Sequence, residues 1–318
     1  MGEHIQYTQL PKIPELSKLY RRVALDRVPV LGTTRHAVAD PTSGAEVSGI
    51  RVSPEHLAHY NQAVGLRNTN ELPITYPFVL GFPLAIQVMS AKDFPFPAMG
   101  AVHISNQIEQ RHPIGIDQEF SLSVHAENLR SHRKGLLIDV ITHLTLAGEQ
   151  DPAWVQTSTF LGLGAKLASS ASADIVNRGE QRGTRLDTPT LPKRQVQTAL
   201  WRITRDQINA YAAASGDKNP VHTSVAGAKL FGFPNVIAHG MFSAAKMLTL
   251  LEGRMGASER AVRFTLDFAA PVVLPARVQC WALRTGAEEQ TWELQLRKAK
   301  NPDKLHAHAI LEEFAWPS

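Results

Sequence analysis

The chain has 318 residues, 43% of them hydrophobic and 19% charged, with a formal net charge of +4. This composition supplies a substantial core and excludes a wholly disordered chain; no Arg/Lys-rich run with interleaved aromatics marks a nucleic-acid surface. The single cysteine, Cys280, excludes an intrachain disulfide and suits a reducing compartment.

Residues 1–45 read as an N-terminal extension with one helical piece near Pro14–Leu25. The first residues lack a basic stretch followed by an apolar core, so no signal peptide is expected. Gln6 stands where a myristoylation signal needs Ser or Thr. The most apolar run, Leu72–Met89, is interrupted by Pro73, Pro77, Pro83 and Gln87, which favours a buried helix with a preceding turn over a membrane span. A cytoplasmic protein without membrane contact is the expectation.

From residue 46 onward the chain repeats itself. Ser53 and Thr204 each precede a segment with the spacing of a capped helix. Tyr60 pairs with Tyr211 and Gly65 with Gly216 at the same offset of 151 residues. Further on, Val79-Leu80-Gly81-Phe82 matches Ala238-His239-Gly240-Met241 at an offset of 159, each opening an apolar segment of helical length. Alternating runs follow. Residues 101–108 correspond to 261–268, where Val262, Phe264, Leu266 and Phe268 share one face and Arg263, Thr265 and Asp267 the other, as in a half-buried strand. Trp292, Leu294 and Leu296 alternate with Glu293, Gln295 and Arg297 in the same style. Each half thus predicts a short capped helix, a buried apolar helix and about four antiparallel strands. Residues 46–164 and 196–318 form the two expected domains. Residues 165–195, with Ala-Ser-Ser-Ala-Ser-Ala, Gly-Glu-Gln-Arg-Gly-Thr and two prolines, form a surface linker between them.

One stretch of the second half concentrates chemistry. Ser215-Gly216-Asp217-Lys218-Asn219-Pro220-Val221-His222 sets an Asp and a His five residues apart on a loop tightened by Gly216 and Pro220. Such a pair can flank one water and exchange its proton with a substrate. The backbone N–H of Gly240, at the predicted start of the second apolar helix, can polarise a carbonyl through a hydrogen bond and the helix dipole. The bland alternatives are a turn Asp, a solvated or satisfied His, and an ordinary glycine at a helix start.

With Tyr211 before it, and Ala228, Gly232 and His239-Gly240-Met241 after it, this stretch resembles the signature of the MaoC-like dehydratase, or hydratase 2, family. The resemblance covers most of residues 201–317, and by repeat 49–164 more weakly. It implies an α+β double hot-dog, two tandem domains in which an antiparallel sheet wraps a central helix. It also implies reversible hydration of trans-2-enoyl thioesters to (3R)-3-hydroxyacyl thioesters, carried by Asp217, His222 and Gly240. Gly216, Asn219 and Pro220 would shape the loop, and His239 would act as a packing or supporting residue. No cofactor or metal is expected; the partner is an acyl thioester of coenzyme A or acyl carrier protein, and a homodimer is compatible.

The first half departs from the motif. Leu66 and Glu71 fall opposite Asp217 and His222, though Asn68 stands opposite Asn219, and eight residues are missing. One active site per chain follows, with the eroded half leaving room for a bulky acyl chain as in similar double hot-dogs. Lys229, Arg254, Arg263 and Arg297 are candidates for the phosphates of a coenzyme A arm, against solvated surface charge. His306 and His308, two apart on a strand, are a minimal metal pair. Gly162-Leu163-Gly164 is too short for a phosphate loop, and Tyr60 and Tyr211 suit the core or a bond to a loop. A hot-dog thioesterase and a non-catalytic acyl-thioester binder are the rival readings. The first wants a carboxylate on the central helix, where none occurs from His239 to Leu251; the second is at odds with the intact motif.

Overall fold

The computed structural model describes residues 4–25, 35, 37–192, 197–252, 261–285 and 291–314. The first half holds β1 (Gln6–Gln9), α1 (Leu16–Leu25), β2 (Ser43–Ile50), α2 (Pro54–Val64), α3 (Tyr76–Met89), β3 (Val102–Gln110), β4 (Phe120–His132), β5 (Gly135–Leu146) and β6 (Trp154–Leu163). After α4 (Ala173–Asn177), the second holds β7 (Gln197–Ile203), α5 (Arg205–Ser215), α6 (Pro220–Thr223), α7 (Val225–Leu230) and α8 (Gly240–Leu248). The strands β8 (Ala261–Phe268), β9 (Ala276–Thr285), β10 (Thr291–Lys298) and β11 (Asn301–Phe314) complete it.

The repeat read from the sequence is a repeat of structure. Strands of the first copy lie in the order β2-β4-β5-β6-β3, and those of the second in the same order, β7-β9-β10-β11-β8. Each copy lays one apolar helix on its sheet, α3 through Phe78 and Phe82 toward Val140 and Phe160, α8 through Phe242 toward Ile203 and Val278. This is the double hot-dog, an α+β fold. The extension contributes α1 as expected, and also β1, which adds to β2 in parallel.

Two compact units divide the chain. One comprises Met1–Arg51, Phe78–Asn106 and Gln118–Gly183; the other comprises Val52–Pro77, Gln107–Asp117 and Thr184–Ser318. Their edges are not those of the sequence halves, because α2 packs with α5, Tyr60 against Tyr211 at 6.1 Å, and so groups with the second copy.

Two expectations need correction. Gly81 does not open its helix: α3 starts at Tyr76, five residues earlier, with Pro77 in the first turn, where a missing N–H costs nothing. The glycine instead lets helix and sheet approach, since a Cβ there would lie 2.9 Å from Thr142. Nor are β8 and β10 buried on one face only. Asp267 and Arg297, on the polar face, are only 6% and 3% exposed. The segment after Gly183 covers that face: the Asp267 carboxylate accepts the N–H groups of Arg185 at 3.0 Å and Leu186 at 2.6 Å. Arg297 donates to the Pro189 carbonyl at 2.8 Å and Gln295 to that of Thr190 at 3.1 Å. Within the expected linker, residues 185–190 are therefore a strap fastened to the sheet by buried polar groups, whereas Ala173–Asn177 form α4.

Candidate active site

The site is assembled from short-range hydrogen bonds that the residue types dictate. Thr204 caps α5 by accepting the Gln207 N–H, and the Gln207 side chain returns a bond to the Thr204 N–H, satisfying two of the N–H groups that a helix start leaves open. At its other end α5 stops at Gly216, which takes φ 71°, a left-handed conformation that a Cβ would strain. The chain then coils through three side-chain-to-backbone turns. Ser215 Oγ accepts the Asp217 N–H at 3.2 Å, Asp217 Oδ1 accepts the Asn219 N–H at 3.2 Å, and Asn219 Oδ1 accepts the Val221 N–H at 3.3 Å. Pro220 begins α6 behind that Asn219 cap. Gly227 in α7 lies against Pro220, where a Cβ would come 2.5 Å from the proline Cβ. Asn219, Gly216 and Pro220 thus shape the loop.

This coil brings Asp217 and His222 to His239. A ligand-type atom from each of the three lies within 4.8 Å of the others. His222 donates Nδ1–H to the Ile237 carbonyl at 2.9 Å, which leaves its lone pair on Nε2. His239 donates Nε2–H to the Asp217 backbone carbonyl at 2.9 Å and stands 3.7 Å from Asp217 Oδ2. The two rings stack at 3.8 Å. Burial lowers the pKa of His222; the nearby Asp217 and the bond to Ile237 act in the opposite direction without prevailing. His239 is brought down to about 3, by burial first and by the neighbouring His222 second. Both rings are therefore neutral near pH 7. His239 thus commits Nε2 to a carbonyl, and the two rings lie face to face.

Gly240 is the first residue of α8, and His239 before it makes no side-chain cap bond. The Gly240 N–H is among those that no turn of the helix satisfies. A Cβ at Gly240 would lie 2.8 Å from the Phe268 ring, so the glycine is required by packing against β8. From the sequence, Phe268 was placed only on the apolar face of its strand, and neither Gly227 nor the Ile237 carbonyl was singled out. Only the spacing of Ser224 and Gly227 offered a signal, as a second helix cap.

The remaining candidates go elsewhere. His306 bonds the Ala270 carbonyl at 3.1 Å and His308 the Glu293 carboxylate at 3.1 Å, so the strand pair is occupied by structural bonds. Arg263 bonds Glu109 at 2.6 Å and Glu312 at 3.3 Å, and Arg297 holds the strap. Neither is a solvated charge waiting for phosphate. Lys229 is exposed, and Arg254 lies outside the described residues. Tyr60 and Tyr211 are core residues, and Gly162 is a packing glycine, its missing Cβ replaced by the Phe96 ring. In the first copy α2 ends at Gly65 with φ 87°, matching Gly216. Leu66 and Glu71 follow on a stretch with no helix before α3, so the counterparts of α6 and α7 are what the first copy lacks.

Residues 187–304 match the family described as MaoC like domain. The 3-hydroxyacyl-thioester dehydratase X of Mycobacterium tuberculosis is 40% identical over 276 residues, which span 87% of this chain and 90% of that protein. The chain belongs to the MaoC-like dehydratase family. The crystal structure of HtdX from the same organism superposes with a TM-score of 0.69 at 37% identity, over 85% of this chain and 100% of that one. A MaoC-like dehydratase from Phytophthora capsici shares the fold, with a TM-score of 0.66 at 17% identity, over 88% of this chain and 97% of that one. As a MaoC-like dehydratase the protein is a hydro-lyase. No helix among its described residues is long and apolar enough to cross a membrane.

Proposed function

We propose that this MaoC-like dehydratase interconverts trans-2-enoyl and (3R)-3-hydroxyacyl thioesters at one site per chain, using Asp217, His222 and Gly240. The observation that carries the reading is the fixed tautomer of His222. With Nδ1–H given to Ile237 and the ring kept neutral by burial, Nε2 is a base beside the Asp217 carboxylate.

In hydration, a water held between Asp217 and His222 bonds through its oxygen to C3 of the substrate. The proton it loses passes to the pair and then to C2. Electron density moves meanwhile from the double bond toward the thioester oxygen, and the Gly240 N–H at the positive end of α8 stabilises that charge. Dehydration is the same path reversed, and the equilibrium sets the direction. The thioester is carried by coenzyme A or by acyl carrier protein, and no cofactor is needed because no electrons leave the substrate. A thioesterase would want a carboxylate on α8; the nearest downstream, Glu252, accepts the Arg67 N–H at 2.6 Å instead.

The test is hydration of a short trans-2-enoyl-CoA by purified protein, with the 3R alcohol as product. Asp217→Asn and His222→Ala should each lower kcat by about 10²–10⁴-fold with an unchanged circular dichroism spectrum. Because burial lowers the His222 pKa from its ordinary value, wild-type kcat/KM should be level from neutral pH down past the ordinary imidazole pKa and fall only in more acidic solution. Full turnover in both variants would refute the assignment.

A further inference from the structure

The site holds a third ring that the reaction above does not use. His239 is 3% exposed, and its position is fixed on two sides. Nε2–H is tied to the Asp217 carbonyl, and one face is stacked on His222. Its Nδ1 is buried with no hydrogen-bond partner. A proton added there would be an N–H without an acceptor, which is costly in a dry site. The groups facing the two rings are the Asp217 carboxylate from the loop after α5, the Tyr211 ring from α5 at 4.9 Å and the Ile237 carbonyl ahead of α8. Tyr211 stays protonated, because burial raises its pKa well above the ordinary value.

We propose that His239 is a positioning residue with two separable tasks. Its Nε2–H holds the Asp217 loop at the start of α8, and its ring excludes water from one face of His222, keeping that base neutral. The proposal rests on reading Asp217 and His222 as the proton-handling pair. It predicts that the ring and the donor are felt in different measurements. A stacked ring removes solvent that would otherwise stabilise an imidazolium, whereas the hydrogen bond sets where the carboxylate stands, and small misplacements of a reacting group are costly in rate.

Two substitutions separate the tasks in the full-length protein. His239→Phe keeps a ring over His222 and loses the donor; His239→Gln keeps a donor and loses the ring. The His222 titration is followed by NMR of the imidazole nitrogens, and kcat, KM and the pH profile are measured with a short trans-2-enoyl-CoA. His239→Gln should raise the His222 pKa by about one unit and move the acidic limb of kcat/KM with it. His239→Phe should leave that titration in place and lower kcat by about tenfold at every pH, with little change in KM. His222 titrating alike in both variants and the wild type, or both variants losing rate without any difference between them, overturns the proposal. If His239→Gln does not fold, His239→Asn replaces it. The NMR comparison decides the shielding of His222 even if the wild type proves inactive on enoyl-CoA, so failure of the functional reading is seen separately.

Discussion

Gly240 answers two neighbours at once. Its N–H belongs to the open first turn of α8, where the proposed mechanism polarises a thioester oxygen, while its Cα lies against the Phe268 ring. A methyl group added at 2.8 Å from that ring must displace either the ring or the helix start. Displacing the helix start moves the N–H. Gly240→Ala should therefore lower kcat by about 10²-fold, as when one donor to a developing oxyanion is removed. Phe268→Leu in the same chain should restore part of the loss, and steady-state kinetics on the single and double variants check this. The Asp217 loop shows the complementary case. Ser215, Asp217 and Asn219 each bond backbone within two residues, so side-chain types close in sequence nearly suffice to build it.

At the level of elements, the strap over the second sheet is held by polar groups that would be unaffordable without partners. Asp267, 6% exposed, offers its carboxylate to two strap N–H groups. Asp267→Ala leaves both donors facing a buried surface, at about 1–3 kcal/mol for each group that water does not reach. We expect a lower urea midpoint, together with faster tryptic cleavage after Arg185, whose side chain is exposed. Unchanged cleavage would mean that the strap is held without Asp267. The alternation of β8 and β10 was legible from the sequence, but the covering of their polar faces was not. Nothing local to Asp267 or Arg297 announces a partner about 80 or more residues away.

For the whole molecule, the repeat supports the proposal of one site per chain. Both copies keep the capped helix and its left-handed glycine, Gly65 or Gly216, and both keep the strand order. Only the second keeps α6 and α7, which turn His222 toward Ile237 and pack Gly227 on Pro220. Restoring the side chains alone should therefore restore nothing. In an Asp217→Asn background, Leu66→Asp combined with Glu71→His is expected to give no hydration above that background, by the same enoyl-CoA assay. Recovered turnover would show that the missing helices are dispensable.

The sequence by itself determined what depends on neighbours along the chain: helix caps at Ser53 and Thr204, the glycines that stop α2 and α5, the alternating strands, the repeat and the Asp217–His222 loop. Its period also carried the order of elements in each half, a capped helix, an apolar helix and antiparallel strands, whereas the double hot-dog was implied by the resemblance of residues 201–317 to the MaoC-like family. Only the tertiary structure decided where α3 begins, which polar faces are covered, that β1 adds to β2, and that His239 lies on His222. The stacked rings are 17 residues apart in the chain, and their neutrality comes from burial by elements that meet only on folding. Hydrogen bonds of short range are written in residue types and spacing; desolvation depends on everything packed around a group, and so becomes defined only when the chain has folded.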